Sequence, residues 1–205
     1  MKVMHWLLLG SGFAITAACA SAPVHYHTLV PDPVDSPAMQ RPSSRRIEIA
    51  AVRIPAQVDR AELVVRQRNG QIALLENELW IAPLSNELRG ALTIELVRRL
   101  SVAEEQDPGR GQEPITVHID IERFESAPGQ YALVEAFWRL RIKSLVQENI
   151  LVCRTSAYER VPEGYDALVR AHQHAVALIA DEIAVAATQS THDGIAVCPV
   201  AGDPH

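Results

Sequence analysis

The chain has 205 residues, of which 48% are hydrophobic and 21% charged, and a formal net charge of −6. That balance belongs to a globular chain with a core to bury and excludes wholesale disorder. A mildly acidic chain has no electrostatic footprint for nucleic acid or for anionic headgroups, which sets aside DNA and RNA as partners.

In chain order, Met1-Lys2 is a short basic start, residues 6–15 are apolar but too short to span a bilayer, and Ala17-Ala18 are the small residues that leader cleavage requires. The stretch up to Cys19 resembles the end of a bacterial lipoprotein signal. It implies a leader over residues 1–18 and an acylated tether over 19–23, with Cys19 carrying an N-acyl chain and a diacylglycerol, palmitate among their chains. At about 0.8 kcal/mol per buried methylene, several such chains anchor a domain almost permanently. Thr16 stands where such signals usually carry Leu or Val, and Ala20 replaces the Asp that retains lipoproteins at the inner membrane, which favours the outer one. The alternatives are an ordinary secretory leader cut after Ala18, Ala20 or Ala22, or a buried apolar helix. Cleavage removes Lys2, the one charged residue of the leader, and moves the net charge from −6 to −7.

Residues 24–29 alternate well enough for a short strand. If that strand docks, five steps of about 3.5 Å hold the domain within ~18 Å of Cys19. Residues 31–46, with Pro31, Pro33, Pro37 and Pro42, read as a loop or linker. Residues 46–55 read as a strand with a face change or bulge, Ile47, Ile49 and Ala51 pointing one way, then Val52 and Ile54 the other. Residues 63–68 and 71–75 form a hairpin about Asn69-Gly70, a pair that accepts positive φ. Residues 83–100 predict a helix. Pro83 suits its first position, and Leu84, Leu88, Leu92, Leu96 and Leu100, widened by Ala91, Ile94 and Val97, make its apolar stripe.

Residues 101–111 read as a solvated loop. Ile115, Val117, Ile119 and Ile121 then alternate with Thr116, His118, Asp120 and Glu122. With residues 134–142, after a turn at Pro128-Gly129, and residues 150–158, they predict an antiparallel meander. Residues 164–188 follow helical spacing, and 189–205 read as a loose tail. The order predicts an α+β fold of one domain over 24–188, mainly an antiparallel sheet with two principal helices packed on it.

With Cys19 assigned to the anchor, Cys153 and Cys198 are an even pair in an oxidising compartment, which predicts a disulfide stapling the tail to a strand; two unrelated thiols are the alternative. No catalytic constellation emerges. There is no nucleophile elbow, Walker loop or dinucleotide fingerprint, so the chain is read as a non-enzyme with no catalytic residues. His118, Asp120 and Glu122 share a strand face that reads as its wet side and not as a metal site, and His25 and His27 share another for which no third ligand is suggested. His172 falls in an apolar stripe and reads as a core histidine.

The stretch from Ile54 to Arg66, then Asn69-Gly70 and Trp80-Ile81-Ala82-Pro83-Leu84, resembles the ABC-type transport auxiliary lipoproteins, the PqiC-like lipoproteins among them. Tyr26, Pro55, Asp59, Arg60, Leu63, Val64, Arg66, Trp80, Pro83 and Leu84 match that family's tyrosine-bearing first strand, Asp-Arg-x-x-Leu-Val-x-Arg box and Trp-x-x-Pro-Leu helix start. Ile81-Ala82 departs from the more usual Ala-Glu. As structure, Asp59 suits a cap or turn, Arg60 a carboxylate partner and Trp80 a buried corner; the alternative is a docking surface.

The resemblance implies a lipid-anchored accessory protein on the periplasmic face of the outer membrane. It also implies an MCE-domain partner in moving lipid or another hydrophobic compound, homo-oligomers, and no cofactor beyond the covalent lipid. A free periplasmic small-ligand carrier, with helices and sheet opened around a lipid, is the rival expectation.

Overall fold

The computed structural model describes residues 22–32, 41–43, 47–102, 115–143, 148–192 and 197–199. The elements are β1 (His25–His27), β2 (Arg41–Ser43), β3 (Ile47–Arg53), β4 (Glu62–Arg66), β5 (Ile72–Trp80), α1 (Leu84–Arg99), β6 (Leu100–Val102), β7 (Ile115–Ala127), β8 (Tyr131–Lys143), β9 (Glu148–Arg160) and α2 (Tyr165–His192).

The meander is the framework. β7, β8 and β9 pair antiparallel, and β3 adds to β7 in parallel, giving the order β3-β7-β8-β9. Alternation puts Ile115, Val117, Ile119 and Ile121 of β7 and Val134, Ala136, Trp138 and Leu140 of β8 on one buried face. Both helices pack there. Helix α1 contributes Leu84, Leu88, Ala91, Leu92 and Leu96, and α2 contributes Leu168, Val176, Ile179, Ala180 and Ile183, all buried. Each fully buried Leu, Ile or Val here contributes about 1.5–3 kcal/mol. The expected face change in β3 is a register shift between Ile49 and Ala51.

The expected α+β class, mainly antiparallel with two principal helices, is the one observed, and several details differ from expectation. The strands form three sheets and not one, with β1, β2 and β3 each pairing in parallel: β1 beside β5 and β4 in a three-stranded sheet, β2 with β6, and β3 on the meander. The linker expected over 31–46 contains β2, and the loop expected over 101–111 begins with β6; the rest of both, apart from residues 31–32, lies outside the described residues. Two short segments that pair with each other leave no periodicity to read. Pro83 caps α1 and is not its first helical residue; a cap position suits a residue with no N–H to leave orphaned. Val97 is exposed while Glu95 is buried, because the helix turns its 84–88–91–95 side inward. The tail is helical through His192, and residues 197–199 are tied back by the Cys153–Cys198 disulfide, with Cα atoms 5.5 Å apart.

The β4–β5 hairpin also differs in detail. The Gly70 amide donates to the Gln67 carbonyl at 2.9 Å and the Gln67 amide to Gln71 at 2.8 Å, so Arg68 and Asn69 are the central residues and Gly70 follows them with φ +83°. The glycine is needed one position later than a two-residue turn would place it.

Beneath the meander, the Trp138 indole N–H donates to Thr155 Oγ1 at 2.9 Å, and the Thr155 hydroxyl donates to the Glu182 carboxylate from α2. Burial raises the Glu182 pKa above the ordinary 4.5, with Asp181 adding to the effect and the Thr155 hydrogen bond opposing it. A carboxyl raised on folding favours the fold below its unfolded pKa, and that contribution is lost as pH rises through the folded value. Glu182→Gln is therefore expected to gain stability over wild type between pH 5 and pH 8, read as urea midpoints at the two pH values. A difference that does not change with pH would contradict this.

Candidate functional site

The first strand is only three residues long and pairs in parallel with the end of β5, His25 opposite Glu78, Tyr26 opposite Leu79 and His27 opposite Trp80. So short a pairing needs side-chain help to persist. Three elements supply it. From β5, the Glu78 oxygens lie 2.8 Å from His25 Nδ1 and 2.6 Å from His27 Nε2. Burial would raise the Glu78 pKa, but hydrogen bonds and charge from His25 and His27 outweigh it and hold the carboxyl below its ordinary range. An ionised carboxylate only accepts, so both imidazoles donate to it.

From the first turn of α1, Glu87 Oε2 accepts the Thr28 hydroxyl at 2.7 Å and the Leu29 amide at 2.9 Å. From α2, the Gln173 amide donates to the carbonyls of Thr28 at 3.0 Å and Val30 at 3.4 Å. Leu29, between these bonds, is buried in the core. Residues 25–30 are thus clasped to the domain at three points. Glu87→Ala is expected to cost about 1–3 kcal/mol, because it leaves the buried Leu29 amide without an acceptor. Limited proteolysis should then cut within residues 22–32 well before the body of the chain, and unchanged protection would refute the clasp.

The expected motif residues meet beside this clasp. The Pro55 carbonyl accepts the Val58 amide at 3.0 Å, and that turn carries Asp59 to the start of α1, where its Oδ1 accepts the Ser85 amide at 3.2 Å. Asp59 therefore caps a helix from which it is remote in sequence. The Arg60 carbonyl accepts the Leu84 amide at 3.3 Å, and its guanidinium lies 3.3 Å from Glu62. Pro83 starts the helix through its carbonyl, which accepts from Asn86 at 2.8 Å. Leu84 is buried, and Arg66 reaches Glu125 at 3.6 Å. The Trp80 ring meets Phe124 and His172 edge-on, with centroids 6.3 Å and 6.5 Å away. Tyr26, by contrast, makes no such bond or ring contact in the described structure and is 66% exposed.

Other polar groups have structural surroundings. His172 is sealed in the core, stacked 4.1 Å from Phe124 and 2.8 Å from Ser126 Oγ, and desolvation pushes its pKa down to about 3. It is neutral, and with Ser126 also buried this serine–histidine pair is out of a substrate's reach. Asp120 lies 3.3 Å from Arg53 on the wet face it shares with His118. Among the described residues no group of three or more His, Cys, Asp or Glu is arranged to hold a metal ion, and no described helix is long and apolar enough to cross a membrane.

A cleft of about 380 Å³ lies between α1, α2 and the end of β9, lined by Pro31, Glu95, Glu159, Arg170 and His174 among others. Its lining mixes these charged groups with the apolar Pro162, Ala167, Ala171 and Ala177. Leu88, Leu92, Ile179 and Ile183, on the helix faces that a lipid carrier would open, are buried in the core. Cys19, the expected lipidation site, lies outside the described residues, as do the expected leader over 1–18 and part of the tether over 19–23.

Reading the sequence missed Glu78, Glu87 and Gln173. Glu87 and Glu95 left a signal, since both fall on the apolar side of α1 where a carboxylate needs a partner. Glu78 and Gln173 left none.

Residues 27–184 match the model of a family described as the ABC-type transport auxiliary lipoprotein component. Two crystal structures are similar in fold. One, of an uncharacterized protein, has a TM-score of 0.61 at 19% identity, over 80% of this chain and 98% of that one. The other, a Xanthomonas campestris protein of the DUF330 family, has a TM-score of 0.56 at 17% identity, over 83% of this chain and 98% of that one. No curated protein matches the chain.

Proposed function

Because the chain belongs to the family of ABC-type transport auxiliary lipoprotein components, we propose that it is the non-catalytic, membrane-anchored periplasmic accessory of an MCE/ABC-type system that moves lipid or another hydrophobic compound. Acyl chains on Cys19 hold it at the periplasmic face of the outer membrane, its domain spans residues 24–188, and copies of it associate to receive the end of an MCE-domain protein.

The clasped first strand carries this reading. An anchor on Cys19 sits six residues before His25, and a docked strand makes that span a short tether of at most ~21 Å. A domain so held stays close to the membrane that carries its anchor. The family box supports the clasp instead of forming a reaction centre: Asp59 and Pro83 start the helix whose Glu87 grips Thr28 and Leu29.

The test is co-purification of the lipidated protein from detergent-solubilised membranes with an MCE-domain protein encoded alongside it. Recovery of a complex that survives gel filtration is expected. Repeated failure with acylated material would overturn the docking role.

A further inference from the structure

His25 and His27 flank Tyr26 on β1, and alternate residues of a strand share a side. The sequence alone suggests no third ligand for this pair, but the parallel pairing of β1 with β5 supplies one. Glu78 stands opposite His25, with one oxygen 2.8 Å from His25 Nδ1 and the other 2.6 Å from His27 Nε2. Two imidazoles and a carboxylate are a recurrent ligand set for zinc, with water in the fourth position.

We propose that His25, His27 and Glu78 bind a divalent transition cation of the zinc class, and that the ion fastens β1 to β5 more firmly than the hydrogen bonds do. As hydrogen-bonded, the three groups stand too close to share an ion. Neighbouring ligands of a tetrahedral zinc, each about 2.0–2.1 Å from the metal, lie about 3.3 Å apart. Binding therefore spreads each nitrogen–oxygen contact by about 0.5–0.7 Å while the rings turn toward a shared ion. Each imidazole then presents a lone pair where it presented an N–H, its proton passing through solvent to the other ring nitrogen.

The backbone that carries the ligands is already held. The Ile81 amide donates to the His27 carbonyl at 2.9 Å, and Glu87 and Gln173 grip the residues that follow. Ligands fixed before the ion arrives lower the entropic cost of binding. The side chains of His27 and Glu78 are shielded, 9% and 13% exposed, whereas that of His25 is 57% exposed and leaves one side open to an ion and its water. Ligation also requires an ionised carboxylate, and the Glu78 carboxyl lies below its ordinary range. The other strand pair, His118 and Asp120, is not equivalent, because Asp120 pairs with Arg53 at 3.3 Å.

The experiment uses the full chain, purified without a histidine tag and stripped with a chelator, titrated with zinc by calorimetry and with cobalt by visible absorption. Saturable binding is expected, with the cobalt bands of a low-coordinate nitrogen and oxygen site. His25→Ala and Glu78→Gln are each expected to weaken it at least about tenfold. His174→Ala, on the exposed side of α2, is the control and should bind as wild type does. Zinc should also slow proteolysis within residues 22–32 several-fold in wild type and not in His25→Ala.

Absence of saturable binding in wild type overturns the proposal, as does binding that persists undiminished in His25→Ala and Glu78→Gln. Binding that requires these residues but leaves proteolysis unchanged overturns the fastening role. None of these readouts needs acyl chains or a protein partner, so their outcome is independent of the anchor and of docking.

Discussion

Trp80→Ala is expected to cost about 3–5 kcal/mol, the largest loss from any single truncation near the clasp. Trp80 is buried where β5 gives way to α1, and its ring packs edge-on against the stacked pair of Phe124 from β7 and His172 from α2. Its backbone amide also donates to the Ala61 carbonyl at 2.6 Å, which holds the start of β4 against the end of β5. Removal of the ring leaves a cavity beside Phe124 of β7 and His172 of α2. Urea denaturation should show a lower midpoint at unchanged slope. Trp80→Phe should recover much of the loss. A cost below about 1 kcal/mol would mean that the corner is not packed as described.

Cleavage of the Cys153–Cys198 disulfide is expected to cost about 4 kcal/mol from loop-closure entropy, given its separation of 45 residues. The bond fastens the 197–199 segment to β9, the outer strand of the meander sheet. Reduction should lower the unfolding midpoint markedly, and Cys198→Ser should reproduce that loss. Alkylation of both cysteines in unreduced native protein would contradict the pairing. The bond also bears on location, since such staples persist in oxidising compartments such as the periplasm.

Much of the fold was legible where periodicity is strong. The alternation of Ile115, Val117, Ile119 and Ile121 and the helical spacing from Leu168 to Ile183 both specify an element and the face it buries. Alternation does not specify a neighbour, however, which is why one antiparallel sheet was expected where there are three. The parallel pairing of β1 with β5 spans β2, β3 and β4, and that of β3 with β7 spans a hairpin, a helix and β6. No local signal announces such long crossovers. Short β2, with Pro42 inside a proline-rich stretch, and β6, at the end of a helix, were hidden for the same reason.

The site divides in the same way. Asp59, Arg60, Trp80 and Pro83 were visible as a motif, and turn and helix-start chemistry accounts for their types. Asp59 nonetheless caps a helix that starts far along the chain, a role that needs the folded arrangement. The clasp was not visible, because His25 and Glu78, 53 positions apart, and Thr28 and Gln173, 145 apart, are brought together only by folding. Tyr26 matched the motif, but its exposure could not be read until β1 was placed on its sheet.

The most direct test of the central claim, a domain clasped close to a lipid anchor, is intact mass with membrane fractionation of the native protein beside Cys19→Ala. The account predicts that wild type carries the acyl mass and sediments with outer membrane, while the variant is released as a soluble, folded periplasmic domain. A wild-type protein that is unmodified and soluble, indistinguishable from the variant, would contradict it.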